Sequence, residues 1–135
     1  KLKSKNFTEA VKEYELLAKE FPESDLACKG LFETAKIYHS ILIPNLQKEE
    51  SLKKAVGYYK RVTKEFEDKP EAESALFTMG FIQANELNQF DSAKITYETF
   101  LKKYPKSQLV NSVQLEINNL GKTPEEILQN KSAKK

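Results

Sequence analysis

Three stretches of this 135-residue chain carry the same pattern of apolar and small side chains, in register and without a gap. The pattern is centred on Ala10, Ala55 and Ala93. Three positions before each alanine stand Phe7, Leu52 and Phe90; four after it stand Tyr14, Tyr59 and Tyr97. Leu17, Val62 and Phe100 follow at seven, and Phe21, Phe66 and Tyr104 at eleven. Steps of three, four and seven bring side chains to one face of a helix, because a turn takes about 3.6 residues. Each stretch is therefore an amphipathic helix with a small residue in the middle of its apolar stripe, where a neighbouring helix can come close. A repeat of this length buries its apolar face only by stacking on its neighbours, so the pattern dictates architecture before chemistry.

The register continues into a second helix. Pro22 and Pro105 end the first and third copies, and Ser24 and Ser107 follow as candidate caps for the next helix, since a serine oxygen can accept the free amide hydrogens of a first turn. The middle copy has Glu67 in place of proline, with Pro70 suited to a first helical position. Small and apolar residues then fall in parallel: Ala27, Ala72 and Val110; Gly30, Ala75 and Val113; Leu31, Leu76 and Gln114. The polar Gln114 and Asn118 mark the last copy as an end repeat, which has no neighbour to cover it. Between alanines the repeats measure 45 and 38 residues, and the excess lies in YHSILIPNLQKEE. Pro44 cannot sit inside a regular helix, so this stretch predicts a connection or a helix extension ending near Ile43, with Ile41, Leu42 and Ile43 packed back on the stack. The pattern predicts helices over 5–20, 24–42, 50–67, 70–87, 89–103 and 107–120, with a short helical turn near 124–129.

The set Ala93, Tyr97, Phe100 and Pro105, matched by Ala10, Tyr14, Leu17 and Pro22, resembles the second helix of a tetratricopeptide repeat with its closing proline. Leu76, Met79 and Gly80 resemble its first helix. The resemblance covers residues 5–120. Its departures are repeats longer than the usual ~34 residues, the lack of tryptophan, and Glu67 in the place of the middle proline. It implies an all-α, antiparallel helix-hairpin solenoid of about six helices over residues 1–121, entered in mid-repeat, with 122–135 a capping turn and a disordered basic tail. The longer repeats, the phrase FLKKYPKS and the closing LGKTPEEIL are similar to bacterial periplasmic tetratricopeptide proteins, among them lipoprotein subunits of outer-membrane β-barrel assembly and coordinators that work with the Tol–Pal system. That similarity implies a periplasmic or outer-membrane-associated setting, with the cytoplasm as the alternative. The functions it implies are a scaffold that binds a protein partner or joins an assembly, a cell-envelope assembly module, or a structural spacer. Tetratricopeptide families bind extended peptides with the first helix of each repeat. Carried over, the partner-facing residues are Lys29, Phe32, Lys36 and His39 on one helix and Ser74, Phe77, Phe81 and Asn85 on the next. Phe77 and Phe81, one turn apart, either wall a groove or pack against adjoining helices.

Composition narrows the function classes. Lys and Arg number 22 against 20 Asp and Glu, interleaved in runs such as KEYELLAKE, the mark of solvated helix faces with opposite charges a turn apart. Arg61 is the one arginine, which leaves a phosphate or nucleic-acid surface without support. No apolar run approaches the ~20 residues of a membrane span. Cys28, the one cysteine, falls on an apolar face and reads as a buried small hydrophobe. His39 is the one histidine, and no glycine-rich phosphate loop, nucleophile elbow or Cys-x-x-Cys accompanies it, so neither an enzyme nor a metal or cofactor site is expected. The chain begins on what corresponds to the second helix of a repeat. An upstream helix is expected to cover Phe7, Tyr14 and Leu17; without it, self-association through that face is expected.

Overall fold

A computed structural model describes residues 4–133, with side-chain surroundings for residues 6–129. Seven α-helices follow one another: α1 (Ser4–Glu20), α2 (Asp25–His39), α3 (Lys48–Glu65), α4 (Pro70–Phe81), α5 (Phe90–Lys103), α6 (Val110–Asn118) and α7 (Pro124–Ala133). A π turn, Ile82–Glu86, continues α4. No strand occurs among the described residues, so the all-α helical-repeat fold expected from the periodicity is the fold observed.

Side-chain pairs far apart in sequence show how the helices are arranged. Lys29 reaches Glu71 and His39 reaches Glu86, which sets α2 beside α4 with the two running in the same direction. Ser107 donates to Glu73 and Asn85 to Glu116, which sets the α6 segment beside α4 in the same way. On the other side, Tyr58 and Arg61 of α3 reach Glu15 of α1, and Lys103 at the end of α5 reaches Glu67 just beyond α3. The first helices of the repeats (α2, α4, α6) thus form one layer and the second helices (α1, α3, α5) the other. Successive helices return over one another as hairpins.

The apolar stripes meet between the layers. Ala55 and Ala93 are fully buried, with Tyr59, Val62, Tyr97 and Phe100 beside them and Leu31, Ile82 and Val113 opposite. Glycine in the first helices permits the closest approaches. A Cβ on Gly80 would stand 2.6 Å from Cε1 of the fully buried Tyr97 ring, and one on Gly30 would stand 2.9 Å from Tyr14 Cδ1. Neither distance leaves room for a methyl group without movement of the ring.

Several boundaries differ from the sequence expectation for local reasons. Ser24 does cap α2, accepting from Ala27 N at 3.0 Å, and Pro70 does open α4. Ser107 instead accepts from Leu109 N in the turn before α6, so α6 starts only at Val110. The predicted helix over 24–42 stops at His39. There Ile41 N–H bonds to Tyr38 O and Leu42 N–H to Ile37 O around a left-handed Ile41 with φ 57°, the paired bonds of a Schellman ending. Ile41 is 37% exposed, while Leu42 and Ile43 are half-buried, so only the latter two pack back. The predicted 70–87 helix changes to π geometry after Phe81, closing with Leu87 N–H on Ile82 O, and Asn88 then turns left-handed with φ 56°. A seventh helix replaces the short turn expected near 124–129. Thr123 and Glu126 cap one another in a reciprocal box, and α7 continues into the segment expected to be disordered; Lys134 and Lys135 lie outside the described residues.

Candidate partner-binding face

The layer of first helices places the eight residues predicted to face a partner. On α2, Lys29 is exposed and pairs with Glu71 at 3.0 Å. Phe32 is half-buried, its ring edge-on to Tyr59 at 5.8 Å. Lys36 bonds to Glu33 at 3.2 Å and holds its Nζ 5.5 Å above the Phe32 ring. His39 sits at the last turn with Nε2 2.9 Å from Glu86 and its ring edge-on to Tyr59. On α4 and the π turn, Ser74 and Asn85 are exposed, the latter donating to Glu116 at 3.1 Å. Phe77 and Phe81 part company. Phe77 packs against Tyr97 and Phe100, 6.4 and 6.3 Å between centroids, whereas Phe81 is 37% open to solvent.

The sequence pattern missed the carboxylates that organise this face. Glu71, Glu86 and Glu116 each sit on the helix next to the group they bind, and a helical stripe read along one segment cannot show its partners on another. The Lys29 ammonium beside Glu71 holds its carboxyl below the usual range. Glu71 also accepts from Cys28 Sγ at 3.7 Å. Burial, reinforced by that carboxylate, pushes the Cys28 thiol up to about 11, so the residue stays a neutral thiol, as its buried position implied. Among the described residues no group of three or more His, Cys, Asp or Glu side chains is placed to hold a metal ion. No described helix is long and apolar enough to cross a membrane.

A first helix, a tight return and a second helix with a buried small residue against a tyrosine form the unit that repeats here. Residues 74–107 match the family model for a tetratricopeptide repeat. The matched segment is similar to a tetratricopeptide repeat. It runs from α4 through the π turn and α5 to Ser107, so Ser74, Phe77, Phe81 and Asn85 all lie on its first helix or the π turn continuing it. Tetratricopeptide repeats are generally non-catalytic modules of protein interaction. Neither a curated protein nor a solved structure matches the chain.

Proposed function

We propose that this chain is a non-catalytic scaffold that holds a protein partner against the layer formed by α2, α4 and α6. One observation carries the reading: Phe81 stands partly open on the first-helix side of the tetratricopeptide repeat, between exposed Ser74 and Asn85. On the same layer the ion pairs Lys29–Glu71 and Lys36–Glu33 include well-exposed partners, so a partner can rearrange them at little cost. An aromatic anchor rimmed by adaptable charges is the usual composition of an interface centre. Phe77, wedged against Tyr97 and Phe100, supports the anchor from beneath instead of contacting the partner. The resemblance of FLKKYPKS and LGKTPEEIL to envelope proteins supports a setting in the bacterial cell envelope and an assembly role.

Photo-crosslinking in cells tests both parts. A benzophenone amino acid at Ser74 or Phe81 should trap one defined protein, and the same group on exposed Glu98 of α5 should not. Fractionation of the trapped complex should place it with the envelope. Crosslinks from Glu98 alone would contradict the face, and a cytosolic complex would contradict the setting.

A further inference from the structure

The opposite layer contains an opening that the repeat itself does not explain. Between α3 and α5 lies a cavity of about 400 Å³, floored by Leu76, Met79 and Gln83 from α4 and its π turn. Lys60 and Lys64 of α3 form one wall, and Ile95, 66% exposed, stands on the other. No acidic side chain lines it, and neither Lys60 nor Lys64 has an ion-pair partner among the described residues. The Thr96 hydroxyl donates to Gln83 Oε1 at 2.7 Å. Among the described residues the Gln83 amide N–H groups have no protein acceptor and no buried side-chain nitrogen goes unpartnered, so they open into the cavity.

The repeat register supplies the missing chemistry. Counted from the central alanines, Lys60 occupies on α3 the place of Glu15 on α1, while Thr96 and Thr99 occupy on α5 the places of Tyr58 and Arg61 on α3. In the α1–α3 seam, Glu15 is the carboxylate that Tyr58 and Arg61 grip. At the corresponding positions of the α3–α5 seam, Lys60, Thr96 and Thr99 supply neither a carboxylate nor an aromatic ring, and Glu67 is held by Lys103 at the seam's end. We infer that this seam is a second docking site, on the layer opposite the proposed partner face, and that its occupant is a protein segment carrying carboxylates one turn from apolar side chains. The apolar side chains lie on Leu76, Met79 and Ile95. The carboxylates meet Lys60, Lys64 and the Gln83 amide. Charge complementarity selects this occupant, since an unneutralised pair of lysines over an apolar floor attracts an acidic segment and repels a basic one.

The test uses the full chain and a fluorescein-labelled peptide of repeated Glu-Leu-Leu-Glu turns, with a counterpart in which every Glu is Gln. The expected result is saturable binding of the acidic peptide, at least tenfold weaker for the Gln peptide. Lys60→Glu with Lys64→Glu should weaken it at least tenfold, while Lys29→Glu with Lys36→Glu on the other layer leaves it unchanged. Both pairs are surface substitutions, and amide NMR shifts on the unmodified chain should centre on Lys60, Ile95 and Thr99. The inference is overturned by no binding, by shifts centred on Phe81 or Lys36, or by equal binding in the Lys60/Lys64 variant. Dimerisation abolished by that variant would give the seam to a second copy, and retention on phosphatidylglycerol vesicles without peptide binding would give it to a lipid; either also overturns it. Loss of peptide binding here leaves crosslinking at Phe81 unaffected, so the two sites stand or fall separately.

Discussion

Helix α3 is flanked by two seams built on the same register, and they are filled differently. Towards α1, Tyr58 stacks on Tyr38 with ring centroids 5.5 Å apart and planes 6° apart, and its hydroxyl donates to Glu15. Arg61 lies 5.7 Å from the Tyr58 ring, bonds to Glu15 at 3.2 Å and forms an ion pair with Glu65 at 3.6 Å. Towards α5, Thr96 and Thr99 take the places of that tyrosine and arginine, and a cavity remains. The core positions barely differ: Tyr59 and Tyr97, Val62 and Phe100, Ala55 and Ala93 are all buried. The anchors of a repeat thus fix how its helices pair within the stack. The positions three and six beyond each anchor decide whether neighbouring second helices close against each other or leave a site.

The largest effect expected from this difference appears in alkali. Burial and Glu15 push Tyr58 well above its ordinary value of 10.0; burial and Glu116 do the same to Tyr97; burial and Glu33 push Tyr59 up to about 12. Each raised tyrosine is neutral in the fold while its unfolded counterpart ionises. The stabilisation is complete below pH 10 and is lost as pH rises towards 12 and beyond, at roughly 4 kcal/mol per pH unit for the three together. Tyr58→Phe, which acts in the closed seam alone, should reduce that slope by about a third; an unchanged slope in denaturant titrations would show the seam to be open to water.

Writing the open seam's residue into the closed one is the next test. Tyr58→Thr removes the stack, the cation contact and a charge-assisted hydrogen bond, and should cost about 2–3 kcal/mol in chemical denaturation. Gly80→Ala should cost about 1–2 kcal/mol, because its methyl meets the Tyr97 ring that α5 holds in its core, and α4, the floor of the open seam, must move away. A gain of stability from that substitution would show that the helices have slack. The smallest effect is expected at Ile41→Gly, outside both seams. Relief of a β-branched residue from φ 57° should raise stability by about 0.5 kcal/mol, net of the flexibility glycine adds to the unfolded chain.

How much of this was legible depends on whether a feature lives within one helix or between two. Alanine, tyrosine and glycine positions in the stripes announced the core, and the fully buried Tyr97 against Gly80 is where the periodicity placed it. Cys28 is likewise in its expected buried place. The π turn left no mark, because FIQANEL contains neither glycine nor proline and reads as uninterrupted helix. Ile41 ends α2 in a conformation its own side chain disfavours, and Pro44, three residues later, pointed to a break slightly too far along. Of the eight residues on the proposed partner face, Phe77 and Phe81 could not be told apart from spacing. One turn separates them, and only the position of α5 decides that Phe77 packs while Phe81 remains open. The two seams were legible in principle, since Tyr58 and Arg61 against Thr96 and Thr99 is a comparison of aligned positions, but the apolar stripe alone does not include them.

The most direct test of the account transplants the closed seam into the open one. Lys60→Glu, Thr96→Tyr and Thr99→Arg together recreate the Glu15, Tyr58 and Arg61 set between α3 and α5. If the positions are equivalent and the cavity is available to side chains, a thermal and urea melt of the triple variant should lie within about 1 kcal/mol of the parent, the lost Thr96–Gln83 hydrogen bond being offset by the buried ring. A loss of about 3 kcal/mol or more, the scale of an overpacked core, would contradict both the register equivalence and the open seam.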